Sequence, residues 1–136
     1  MARLIIGHTT HNSARVWIRG HQEYPVGFVT VSGPGGPYLQ RIELECRHGY
    51  TGIVDYKGLR PRERYDCFVR FGKTKRDAPI EHIDFGHCQG QFRTFPATDA
   101  KSPLKFLFGS CNFHSLDLLQ SPDESFRRLA RITEEE

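Results

Sequence analysis

The stretch GLRPRERYDCFVRF, residues 58–71, carries the most specific structural signal in this sequence. Pro61 fixes a turn, and Tyr65 begins a run in which every second residue from Cys67 to Phe71 shares one face. A tyrosine hydroxyl that folds back onto the preceding turn is the tyrosine corner of Greek-key sandwiches. We therefore predict that Tyr65 anchors one corner of an antiparallel β-sandwich.

Strand-like runs recur on both sides of this stretch, and turn residues separate them. Such runs, with turns every eight to twelve residues, are typical of a sandwich. The sequence therefore predicts a mainly β protein, with a sandwich of about seven strands in residues 1–97. The runs are residues 3–9, 14–20, 26–32, 38–46, 49–59, 65–71 and 90–96. The glycine-rich segment GPGGP between the third and fourth runs is expected to be a hairpin turn, because its prolines remove donors that a phosphate loop needs.

Three features of these runs resemble fibronectin type III domains. An early strand contains Trp17, the corner reads Leu59-x-Pro61-x-x-x-Tyr65, and the last strand ends in FRTFP at residues 92–96. The resemblance implies a fibronectin III/Ig-like sandwich.

The second run leaves the position of Trp17 open. Val16 and its apolar neighbours alternate with Arg15, Trp17 and Arg19, so the tryptophan falls on the arginine side. Either Trp17 is the core anchor, or both faces of this strand are partly covered. Arg15 and Arg19 are expected to be solvated, with contact to a further domain or a phosphate as the alternative.

Composition and charge argue against two classes of partner. The formal net charge is +3, and the longest basic cluster, residues 73–76, is too short for a nucleic-acid face. No apolar run approaches the roughly 18 residues of a membrane-spanning helix, and the first ten residues are too weakly apolar for a signal peptide. We expect a cytoplasmic protein without nucleic-acid or membrane partners, or a secreted one if a leader has been trimmed.

The four cysteines show no C-x-x-C spacing and are expected to be reduced thiols. Cys46 and Cys67 lie in strand-like runs, where a small buried hydrophobe is the expected role. Cys88 invites a zinc hypothesis with His82 and His87, but the spacing fits no recognised ligand pattern.

The pattern changes after residue 97. Residues 98–103 have the composition of a linker, and LKFLFG at 104–109 is a nearly unbroken apolar run, as in a parallel strand covered on both faces. Ser121, followed by proline and by Glu124, is a helix start with a capping box. Residues 104–136 therefore predict a single β-α unit, the truncated beginning of an α/β domain.

Cys111 stands just past the end of that apolar strand, where ligands gather in open α/β sheets. Ser110 and Asn112 flank it with a hydroxyl and an amide. A thiolate here could be a metal ligand, or a nucleophile with His114 as its base. The alternative is a buried free cysteine that caps the strand.

Together, ARVWIRG, GLRPRERY, GQFRTFP and FLFGSCN, in this order, resemble the N-terminal part of the alkaline phosphatase D family, the PhoD-like phosphatases. The resemblance covers essentially the whole chain. It implies a sandwich followed by a metallophosphatase domain that hydrolyses phosphate mono- or diesters with iron and calcium, and it makes Cys111 an iron ligand.

One departure limits what the resemblance implies. The Gly-Asp-x-x-x-Tyr type motif, which supplies further metal ligands in that family, does not occur in this sequence. The chain alone is therefore expected to contain no complete catalytic site, to hold no cofactor and to be inactive. Its expected partner is the missing C-terminal phosphatase domain, or a second copy through residues 104–136, and a phosphoester is the substrate of the complete enzyme. The alternative is a non-catalytic fibronectin III-like interaction module.

Overall fold

A computed structural model describes residues 3–76, 88–101 and 103 of the chain. The chain divides into two units, Met1–Ser102 and Pro103–Glu136, and all the described strands belong to the first.

Seven strands and one 3₁₀ turn follow one another in this part. They are β1 (Arg3–Thr9), β2 (Ser13–Arg19), β3 (Val26–Ser32), β4 (Tyr38–Glu43), the 3₁₀ turn (Cys46–His48), β5 (Thr51–Lys57), β6 (Arg64–Gly72) and β7 (Gln89–Arg93).

The strands form two antiparallel sheets, one of three strands in the order β1-β2-β5 and one of four in the order β4-β3-β6-β7. The chain changes sheet between β2 and β3, again between β4 and β5, and again between β5 and β6. The prediction of a mainly β, antiparallel sandwich is thereby confirmed. The predicted linker and β-α unit, residues 98–136, fall largely outside the described residues and stay a prediction.

The core lies between the two sheets and is formed by alternate side chains of the strands. Val16 and Ile18 of β2 pack in one cluster with Val29 and Val31 of β3, and all four are fully buried. Tyr56 of β5 adds a hydrogen bond across this core, since its hydroxyl donates to the Val29 carbonyl at 2.7 Å. Burial raises the pKa of Tyr56, so the hydroxyl stays a donor.

The predicted tyrosine corner is present. The Tyr65 hydroxyl accepts a hydrogen bond from the Arg60 backbone N–H at 2.8 Å and donates to the Pro34 carbonyl at 3.2 Å. Thr94, just after β7, holds the same turn, since its Oγ1 donates to the Arg60 carbonyl at 2.6 Å and accepts from the Glu63 N–H at 3.1 Å. Both backbone groups of Arg60 are therefore bound by side chains, which fixes the β5–β6 connection.

The segment between β3 and β4 is the hairpin turn that its composition predicts. The Gly36 N–H donates to the Gly33 carbonyl at 3.0 Å, and Gly35 has a φ of 86°, which favours glycine. The turn also supplies the Pro34 carbonyl that the corner tyrosine binds.

Candidate interaction surface

The candidate metal-site residues predicted from the sequence, except Cys88, lie outside the described part of the chain. Ser110, Cys111, Asn112 and His114 are among them, so the proposed iron ligand and its neighbours stay predictions. Among residues 3–76, 88–101 and 103, no group of three or more His, Cys, Asp or Glu side chains could hold a metal ion. The zinc hypothesis is likewise untested, because only its third member, Cys88, is described.

The described thiols differ in exposure, and one prediction about them is wrong. Cys67 is buried, as expected for a small hydrophobe in β6, but Cys46 is exposed. The fourth strand ends at Glu43, opposite Val26 at the start of β3. Beyond that pair Leu44 still donates its N–H to the Pro25 carbonyl, but Pro25 has no N–H with which to continue the ladder. Cys46 then begins a 3₁₀ turn and is no longer on a strand.

This contrast predicts selective alkylation. Burial raises the pKa of the Cys67 thiol to about 12, so its thiolate fraction at pH 8 is on the order of 10⁻⁴. Iodoacetamide at pH 8, followed by peptide mass spectrometry, should modify Cys46 readily and leave Cys67 unmodified until urea unfolds the chain. Equal labelling of the two thiols in the folded protein would contradict the buried position of Cys67.

The two most exposed large apolar side chains of the described part lie on the outer face of the three-stranded sheet. The strand register places Ile5 of β1, Trp17 of β2 and Ile53 of β5 side by side in one row. Ile5 and Ile53 are each 54% exposed, and Trp17 is partly covered between them. This settles the position of Trp17: Val16 faces the core, and the tryptophan lies outside.

Charged rows flank this apolar row on both sides. Arg3 and Arg19 are paired in register at one end of the sheet, and Arg15 pairs with Asp55 on the other side of the tryptophan, with Lys57 beyond them. We call this surface the Trp17 face. It consists of the outward residues Arg3, Ile5, Arg15, Trp17, Arg19, Thr51, Ile53, Asp55 and Lys57.

The Arg15–Asp55 pair is a two-point ion pair on the surface. Arg15 Nε donates to Asp55 Oδ1 at 2.7 Å, and its Nη2 donates to Oδ2 at 3.0 Å. The hydrogen bonds from the Arg15 guanidinium hold the pKa of the Asp55 carboxyl below its usual value. Both side chains are about half exposed, so the pair orders this edge of the face more than it stabilises the fold.

The outer face of the four-stranded sheet is organised differently. Arg41 lies over the Phe28 ring, 5.7 Å from its centroid, and Arg70 lies over Phe68 at 5.6 Å. Phe28 is only 4% exposed, so its ring is covered, unlike Ile5 and Ile53 on the other sheet. An open cleft of about 430 Å³ beside Phe68 is also lined by Val69, Arg70, Cys88 and Gln89, and no site is assigned to it.

The sequence did not reveal the Trp17 face. Each of its apolar residues lies in a different strand, and only the register brings Ile5, Trp17 and Ile53 together. Two features of the sequence could have indicated it. Ile5 and Ile53 stand at positions of the first and fifth runs where alternation would place polar residues, and Trp17 lies on the arginine side of the second run.

No helix in the described part of the chain has the length and apolar character needed to cross a membrane. The cytoplasmic location stays a prediction.

Comparison with known proteins identifies related folds. The sequence matches no protein-family profile. It also matches no curated protein. Among solved structures, PhoD matches with a TM-score of 0.52 and 15% identity, over 74% of this chain and 20% of that chain. The chain therefore corresponds to one fifth of the PhoD chain.

Two further solved structures are similar to this chain. The sensor domain of the anti-sigma factor RsgI4 in Pseudobacteroides cellulosolvens matches with a TM-score of 0.50 and 12% identity, over 71% of this chain and 95% of that domain. The fn3 domain of human collagen alpha-1(XX) has a TM-score of 0.46 and 16% identity, over 77% of this chain and 90% of that chain. At these identities the likeness concerns the fold alone, so the chain is similar in architecture to part of PhoD and to the RsgI4 sensor domain.

Proposed function

We propose that this chain supplies the N-terminal accessory sandwich of a metal-dependent phosphoesterase that hydrolyses phosphate mono- or diesters. In this proposal the sandwich is structural, and residues 104–136 begin the catalytic domain. The described strands then serve to hold and present that domain and take no part in the chemistry.

One observation supports the proposal: the order of the sequence motifs and the fold are both similar to PhoD. Four segments of the sequence resemble the PhoD-like family in the same order, and the fold of this chain is similar to one fifth of PhoD. Two of these segments carry the contacts at the corner. Tyr65 and Arg60 lie in GLRPRERY, and Thr94 lies in GQFRTFP. Sequence resemblance and geometry therefore support the proposal at the same residues.

Cys111 is the residue of this chain that would contact a metal. A thiolate is a soft ligand that suits iron, and the metal keeps it deprotonated. Iron and calcium would supply an activated water and offset the charge on the phosphoryl oxygens. One thiol cannot hold such a cluster, so the remaining ligands must come from outside the described residues.

The second candidate function is a non-catalytic interaction module. The exposed row of Ile5, Trp17 and Ile53 favours it, because an apolar row ringed by charges is typical of a protein contact. A sandwich with such a face needs no catalytic domain in order to bind a partner.

The experiment that separates these candidates is carried out on the native gene product. An antiserum against the 136-residue chain captures the protein from cells that encode it, and the captured protein is examined by intact mass and by hydrolysis of p-nitrophenyl phosphate and bis-p-nitrophenyl phosphate. We expect a mass above 15.7 kDa and turnover that requires iron and calcium. The 136-residue chain alone should show no turnover.

A matched pair of variants tests the role of the cysteine. Cys111→Ala in the native gene should reduce hydrolysis to background, whereas Cys46→Ala, at an exposed turn position, should leave it unchanged. A 15.7-kDa native product without hydrolysis would overturn the proposal in favour of the interaction module. Full activity of the Cys111→Ala protein would overturn the metal-ligand role.

A further inference from the structure

We propose that the Trp17 face is a docking site for an acidic protein surface that presents an apolar side chain to the row of Ile5, Trp17 and Ile53. This inference does not rest on the phosphoesterase proposal, because it concerns only the outward side of β1, β2 and β5.

The charge of the face indicates the charge of its partner. Its outward positions carry four basic residues, Arg3, Arg15, Arg19 and Lys57, against the single carboxylate of Asp55. The face therefore carries an excess of three positive charges. A complementary surface carries carboxylates.

The distribution of charge around the row indicates a protein contact. The apolar residues occupy the centre of the sheet, and the arginines lie toward its two ends. Protein interfaces have the same arrangement, with an aromatic and aliphatic centre, an enrichment in arginine and a polar rim. Arg15 is held in place by Asp55, so this part of the rim loses little side-chain freedom on binding.

The dimensions of the face indicate a small interface. Three neighbouring strands of ordinary spacing, each seven residues long, cover about 15 by 23 Å. This footprint of about 350 Å² is less than half of the roughly 800 Å² that each partner contributes to a standard interface. We therefore expect a transient contact with one compact partner surface.

Three other occupants fit the face less well. A second copy would bring two cationic faces together, which is unfavourable. A membrane would require Ile5 and Ile53 to insert, but the Arg15–Asp55 pair is the next outward row of the same sheet, so insertion would also bury this pair. A nucleic acid would have only the Trp17 ring to stack on, and the Asp55 carboxylate beside it repels phosphate.

The proposal is tested by selecting peptides that bind to the Trp17 face. A phage library of random twelve-residue peptides is selected on the folded 136-residue chain, and the enriched peptides are synthesised and titrated. Trp17 is the only tryptophan of the chain, so its fluorescence reports binding at the face directly. We expect enriched peptides with an excess of Asp and Glu around at least one large apolar residue.

Two pairs of variants localise the binding. Arg19→Glu and Ile53→Ser change the face at exposed positions and should each weaken peptide binding by about tenfold or more. Their controls make the same changes on the outer face of the other sheet, at Arg93 (Arg93→Glu) and at Leu39 (Leu39→Ser), which is 49% exposed. The controls should change affinity less than about twofold. Circular dichroism verifies that all four variants fold.

The outcomes decide between the occupants. Failure to enrich any peptide that depends on Arg19 and Ile53, or enrichment of basic peptides, would overturn the proposal. Tighter binding of a dT₁₂ oligonucleotide, or of phosphatidylserine vesicles, than of the best acidic peptide would overturn it in favour of nucleic acid or membrane. A dimer in sedimentation equilibrium that Arg19→Glu alters would overturn it in favour of a second copy.

Discussion

Replacing Phe71 by alanine is expected to lower the free energy of unfolding of the sandwich by about 3–5 kcal/mol, a large part of the stability of a domain this size. Phe71 is fully buried near the end of β6. Its ring lies over the backbone of Gly20, where an added Cβ would be 2.9 Å from the ring. Alanine would leave a cavity there, because the glycine has no side chain that could fill it.

The measurement is urea unfolding followed by the fluorescence of Trp17, the single tryptophan. Phe71→Leu keeps most of the volume and should cost less than Phe71→Ala. Phe95→Ala, at a phenylalanine that is 44% exposed, is the matched control and should cost less than either. If Phe71→Ala and Phe95→Ala cost the same, Phe71 does not fill the core as described.

The tyrosine corner could be predicted because its information is local. A leucine, a proline and a tyrosine within seven residues specify both the turn and the hydroxyl that binds it, and the structure places Tyr65 accordingly. The alternation after Tyr65 likewise predicted that Cys67 and Phe71 share one face, and both are buried. Short-range patterns of this kind are sufficient for strands whose two faces differ clearly in polarity.

The parts that could not be predicted depend on contacts between distant residues. The strand predicted through Cys46 ends at Glu43, because its partner strand β3 begins at Val26, directly after Pro25, which has no backbone N–H. Thr94 was visible as part of a motif, but its binding to Arg60, 34 residues earlier, was not. Trp17 was ambiguous because its own strand gave no indication that isoleucines of two neighbouring strands would flank it.

The β5–β6 connection also depends on contacts between distant residues, so substitutions in two different parts of the chain should destabilise it. Tyr65 binds the Arg60 N–H, and Thr94 binds the Arg60 carbonyl and the Glu63 N–H. Tyr65→Phe and Thr94→Val each remove these bonds with little change of shape, so each should lower the free energy of unfolding by about 1–3 kcal/mol.

The two changes should not be additive. Once either side chain releases Arg60, the connection can move and its backbone can reach water, so the second substitution removes less. We expect the double variant to cost at least about 0.5 kcal/mol less than the sum of the single variants, measured by urea unfolding. Thr51→Val is the control, because the Thr51 hydroxyl only binds the exposed His48 carbonyl three residues earlier. It should cost under about 0.5 kcal/mol and add independently to either variant. Strict additivity of Tyr65→Phe and Thr94→Val would show that the two side chains do not hold the same turn.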